Sequence, residues 1–99
     1  MLRPTSPRLL DPGAVPYLLW DTRQTVAEAR RILAGPASPE RDEILVRLLR
    51  EANSRDVWLF TRWDQLDEAW SRIAHRLGRA RPVWEWLKHR HEYHVRAAS

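Results

Sequence analysis

Six tryptophans in 99 residues constrain this chain more than any other feature. They fall in three clusters: Tyr17-Leu18-Leu19-Trp20-Asp21, then Asp56-Val57-Trp58 with Trp63 and Trp70, then Val83-Trp84-Glu85-Trp86-Leu87. Each indole brings a large apolar area and one N–H that needs an acceptor. A chain of this length has room for one core, so rings spread in this way can staple several small helices around it. Trp20, Trp58 and Trp70, set among Leu19, Val57, Leu66 and Ile73, are the expected core members.

Hydrophobic spacing and stop signals divide the chain into short helices. Residues 1–16 hold Pro4, Pro7, Pro12 and Pro16 with Gly13; proline blocks helix and removes donors, so an extended arm is expected, free unless a partner orders it. Tyr17 to Trp20 reads as a short extended apolar plug. Thr25-Val26-Ala27-Glu28 fits the capping box, which predicts a helix to about Ala34, ended by Gly35-Pro36. Ser38-Pro39 starts the next, because serine caps and proline suits the first helical position. Ile44, Leu45, Leu48, Leu49 and Ala52 form its buried stripe, and Asn53-Ser54 ends it. Ser54 or Asp56 then caps a turn holding Val57, Trp58, Leu59 and Phe60. That run lacks alternation and has no partner strand, so helix is preferred. Thr61 or Asp64 caps a helix whose stripe is Leu66, Ala69, Trp70, Ile73, Ala74 and Leu77, closed by Gly78. Pro82 opens a last helix to about His91. The expected fold is all-α: a compact bundle of about five short helices over residues 17–94, with an arm before it and a tail at 95–99.

Catalytic chemistry finds little purchase. Without cysteine there is no disulfide, thiolate metal site or cysteine nucleophile. The three glycines are isolated, so no loop cradles a phosphate. The carboxylates at 40–43 and 64–68 sit where helix starts favour them. His91-Glu92-Tyr93-His94 is one residue short of the metalloprotease spacing, and His89 points away from that pair. No enzyme, cofactor or metal is expected. The start of the chain lacks a hydrophobic run and no segment is apolar enough to span a bilayer, so an uncleaved cytosolic protein is expected.

Charge is unevenly placed. The balance runs +2 over residues 1–37, −3 over 38–70 and +5 over 71–99. A basic end is the usual footprint of an acidic partner, protein or nucleic acid; a GC-rich genome would supply the same arginines for no functional reason. Arg72, Arg76, Arg79, Arg81, Lys88 and Arg90 flank a helix–turn–helix-like break at Gly78. A base-reading helix needs polar side chains, whereas Val83, Trp84, Trp86 and Leu87 make this one apolar. Residues two apart do not share a helical face. Either one of Trp84 and Trp86 is an exposed docking anchor, or a wide core face hides both.

The order of these motifs resembles a known family. Pro16-Tyr17-Leu18-Leu19-Trp20-Asp21, a short helix, an Arg/Leu-rich helix, Asp56-Val57-Trp58, a helix with Trp70 and Leu77, and Arg81 to Trp84 are similar to small bacterial proteins of uncharacterised function, the DUF6922-like domain. The resemblance covers about Pro16 to Tyr93. Members are often encoded beside nucleotidyltransferases of the AbiEii abortive-infection toxin class, which implies an antitoxin-like or accessory role and identifies no functional residues. The expected function is therefore a non-enzymatic protein-binding module for such a toxin, docking through Arg81, Trp84, Trp86, Lys88 and Arg90 with weak or no nucleic-acid binding. A DNA-binding autoregulator and a structural interaction module without a toxin stand as the alternatives.

Overall fold

A computed structural model describes residues 7–19 and 24–98. Five α-helices follow in order: α1 (Val26–Ala34), α2 (Pro39–Glu51), α3 (Ser54–Val57), α4 (Trp63–Ile73) and α5 (Arg81–Ala98). Short 3₁₀ turns lie at Pro7–Leu10, Tyr17–Leu19, Ala74–Arg76 and Gly78–Ala80, and there is no strand among the described residues. The fold is the expected all-α bundle.

The centre is α2. Ile44, Leu45, Leu48 and Leu49 are buried as the spacing requires, and so are Val46 and Arg41. The buried surface is wider than one stripe because α1, α4, α3 and the turns at 17–19 and 78–80 all pack around this helix. From α1 come Val26, Ala29 and Leu33; from α4 come Leu66, Ala69 and Ile73, continued by Ala74 and Leu77. Ser38 caps α2 as expected, its hydroxyl accepting from the Arg41 N–H at 3.0 Å. The same Arg41 turns inward, donating from Nη1 to the Gly35 carbonyl (3.1 Å) and from Nη2 to Glu68 (2.6 Å).

The proline segment is not a free arm over its described part. Leu9, Ala14 and Pro16 are buried against the bundle. Prolines lack donors but keep their carbonyls, and the first turn of a helix has N–H groups in need of acceptors. Ala14 O accepts from Val26 N–H (2.8 Å) and Pro12 O from Ala27 N–H (3.0 Å), while Thr25 Oγ1 accepts from Glu28 N–H (3.1 Å). Together the segment and the capping box satisfy the start of α1.

Several local expectations are corrected. Tyr17–Leu19 is a 3₁₀ turn, not an extended plug. Asn53, not Ser54 or Asp56, caps α3, accepting from Arg55 N–H. Asp56 is instead fully buried and accepts from the Tyr17 hydroxyl at 2.7 Å; that hydroxyl also accepts from Asn53 N–H at 2.8 Å. Arg62 occupies the cap position of α4 with no side-chain cap bond, because Thr61 Oγ1 donates to Gln65 Oε1 at 2.6 Å. The last helix is longer than expected, 18 residues, since nothing in the tail interrupts it. Gly78 has φ +54°, the left-handed conformation that lets the chain turn from α4 into α5.

Candidate functional site

α5 is where the expected docking residues meet the bundle, and the structure divides them. Trp84 is a core residue, 3% exposed. Its Nε1–H donates to Leu49 O at 2.8 Å, one of the last carbonyls of α2, which has no partner within the helix. The indole thus fills the core and finishes a helix end. Trp84 is not available to a partner.

Trp84 belongs to a ring cluster. Trp58 and Trp63 lie 5.0 Å apart, Trp58 and Trp84 5.9 Å, and Trp63 and Trp84 6.2 Å, all tilted or edge-on as aromatic quadrupoles prefer. His91 stacks on Trp63 at 4.8 Å. The three expected core tryptophans fare differently. Trp58 is 41% exposed, because it follows the four-residue α3 at the rim of the bundle. Trp70 is half-buried at the edge of the α4 stripe, with the Lys88 ammonium 5.8 Å from its ring. Trp20 lies outside the described residues.

Lys88 is held within the fold. It bonds Glu92 at 2.5 Å and lies 3.6 Å from Asp67. The Glu92 hydrogen bond raises its pKa against the opposing effect of burial. Arg81 pairs with Glu85 one turn along at 3.2 Å. These four residues, Arg81, Glu85, Lys88 and Glu92, recur at helical spacing and make one ion-paired flank.

The outward side of α5 is different. Trp86 is 57% exposed, and the Arg90 guanidinium lies 4.9 Å over its ring. Val83 and Tyr93 are exposed beside them. Val83, Trp86, Arg90 and Tyr93 are separated by three, four and three residues, the spacing of a helix–helix seam. Sequence reasoning named Trp86 and Arg90 but missed Val83 and Tyr93; the signal was that spacing, obscured by treating residues 83–87 as one apolar block. Trp84, Leu87 and His91 form the complementary inward stripe.

The basic end is largely paired with carboxylates across the surface of the bundle. Arg72 forks onto Asp42 (2.8 and 3.2 Å) and Glu68 (3.0 and 2.8 Å), and Arg76 bonds Glu43. Their guanidiniums hold Glu68 and Glu43 below the ordinary carboxylate value. The acidic middle segment therefore meets the basic last segment, and Asp42 and Glu43 do more than favour a helix start. Of the six cations expected to flank the Gly78 break, Arg79 and Arg90 alone meet no carboxylate among the described residues.

Among the described residues no three His, Asp or Glu side chains converge as a metal site would need, and no helix is long and apolar enough to cross a membrane. Comparison of the chain with family models, with curated proteins and with solved structures finds no match.

Proposed function

We propose that this chain is a non-enzymatic binding module that docks a helix of a protein partner along the outward face of α5. One observation carries the reading: Val83, Trp86, Arg90 and Tyr93 form an exposed seam on a helix whose opposite face already holds the core. Exposing a tryptophan costs solvation free energy, and tryptophan and arginine are both enriched among interface hot spots. The neighbouring cations Arg79 and Arg90 favour a partner helix with a carboxylate beside its apolar stripe. Trp86 would supply the anchor and Arg90 both a lid on the indole and a charge contact.

The likeness in motif order makes an AbiEii-class nucleotidyltransferase the first partner to test, in an antitoxin-like or accessory role. At the basic end, pairing of Arg72, Arg76, Arg81 and Lys88 with carboxylates leaves few cations for phosphates, which favours a protein over nucleic acid at this surface.

Co-expression with the adjacent gene product, followed by binding kinetics, tests the reading. Trp86→Ala should speed dissociation and weaken the complex at least about thirtyfold, the effect of an interface hot spot. Arg90→Ala should chiefly slow association and reduce its salt dependence. A complex indifferent to both variants would place the interface elsewhere. Tight binding to one palindromic operator by the isolated protein would favour the autoregulator instead.

A further inference from the structure

A groove beside Trp58 includes no residue of α5 and has no role in its docking face. It has a volume of about 360 Å³ and runs between the end of α1 and the link from α3 to α4, within the size range of small-ligand sites. Trp58 forms one wall. Its indole is braced by Trp63 and Trp84, so the exposed part is a rigid aromatic surface. Two exposed guanidiniums, Arg30 and Arg62, also line the groove.

The charges there are of one sign, because no carboxylate lines this part of the groove. The Arg30 guanidinium lies 5.4 Å over the Phe60 ring, which orients it without satisfying its donors. Arg62 pairs with Asp64 at 3.3 Å, but both side chains are largely in solvent; such a pair holds its members weakly and a ligand competes with it. The polar residues between them are already committed: Thr61 Oγ1 donates to Gln65 Oε1, and Gln65 Nε2 donates to Leu33 O at 2.7 Å. Beyond Gln65 the surface continues past Arg41, Asp64 and Glu68, where carboxylates already pair with the guanidiniums, so the Trp58 end is the better place for an anion.

We propose that this groove binds a small planar anion: an aromatic or heteroaromatic ring laid against Trp58, bearing a phosphate or carboxylate held by Arg30 and Arg62. A ring matches the indole by stacking, and guanidinium forks match the oxygens of either anion. The ring supplies contact area and the anion fixes direction. Neither alone accounts for an aromatic wall and two cations lining one groove.

The test follows the Trp58 indole N–H in ¹H–¹⁵N spectra, assigned with Trp58→Phe. A nucleoside 5′-monophosphate probes the phosphate source and N-acetyltryptophan the carboxylate source. The uncharged nucleoside and inorganic phosphate test each half alone. At least one ring-bearing anion should shift the Trp58 signal saturably at millimolar concentration. Arg62→Gln should weaken that binding about tenfold, as loss of a charge-assisted hydrogen bond does, and Arg30→Gln with Arg62→Gln should abolish it. Arg62 is 82% exposed, so its variant keeps the fold and remains readable if Arg30→Gln disturbs Phe60. The proposal is overturned if neither anion shifts Trp58, if either half alone binds as well as the whole, or if Arg62→Gln binds unchanged.

Discussion

Trp84 and Trp86 stand two residues apart and do opposite things. One donates its N–H to Leu49 O inside the core, and the other lies in solvent under Arg90. Truncating a buried aromatic removes its transfer free energy and leaves a cavity, about 3–5 kcal/mol in total; here a helix-end carbonyl is also left without its donor. Trp84→Ala is therefore expected to lower the urea midpoint sharply or abolish cooperative unfolding, whereas Trp86→Ala should move stability by less than about 1 kcal/mol. Equal midpoints for the two variants would contradict this division. The spacing of the two rings raised such a split in the sequence but left open a wide core face hiding both. Which ring faces inward was not, because it depends on where α5 leaves Gly78, a direction set by packing on α2. The same limit applies to Trp58: an apolar neighbourhood in sequence says nothing about a four-residue helix ending at the rim.

At the scale of elements, hydrophobic period and capping chemistry gave α1, α2 and the body of α4, because those signals are local. The proline segment escaped the same reasoning. Its contribution is made by carbonyl oxygens of Pro12 and Ala14 and by the buried Leu9, and no side-chain pattern advertises a backbone acceptor. Leu9→Ala is predicted to cost about 2–5 kcal/mol, as buried leucines do, seen as a lower midpoint in denaturant titration. A free arm would show no change. The outward seam of α5 was only half legible, since Trp86 and Arg90 gain their meaning from Val83 and Tyr93 once the inward stripe is assigned.

Across the whole molecule, the charge asymmetry of the sequence becomes a set of contacts between α2, α4 with the turn that follows it, and α5. Arg76 holds Glu43, and Arg72 holds Glu68, below the usual 4.5. The unfolded chain takes up these protons more readily than the folded one. Their stabilisation is therefore complete above the ordinary carboxylate range and is lost as pH falls through the lowered folded values. Lys88 has the opposite sign: held above 10.5 by Glu92, it contributes fully below that value and its contribution is lost as pH rises through the higher one. Thermal melts across pH should thus show a plateau near neutrality. On the acid side the drop should be smaller for Glu43→Gln than for the native chain. An identical acid limb in the two proteins would show that the Arg76 contact contributes nothing.

The bond from Trp84 to Leu49 spans 35 residues and bears on how the protein is made. Synthesis makes α2 before most of the residues that cover its wide apolar surface. The indole that occupies one of the helix's last carbonyls comes 35 residues later. At about 5–20 residues per second, Trp84 is polymerised seconds after Leu49. The core therefore cannot close around α2 until α5 has been made.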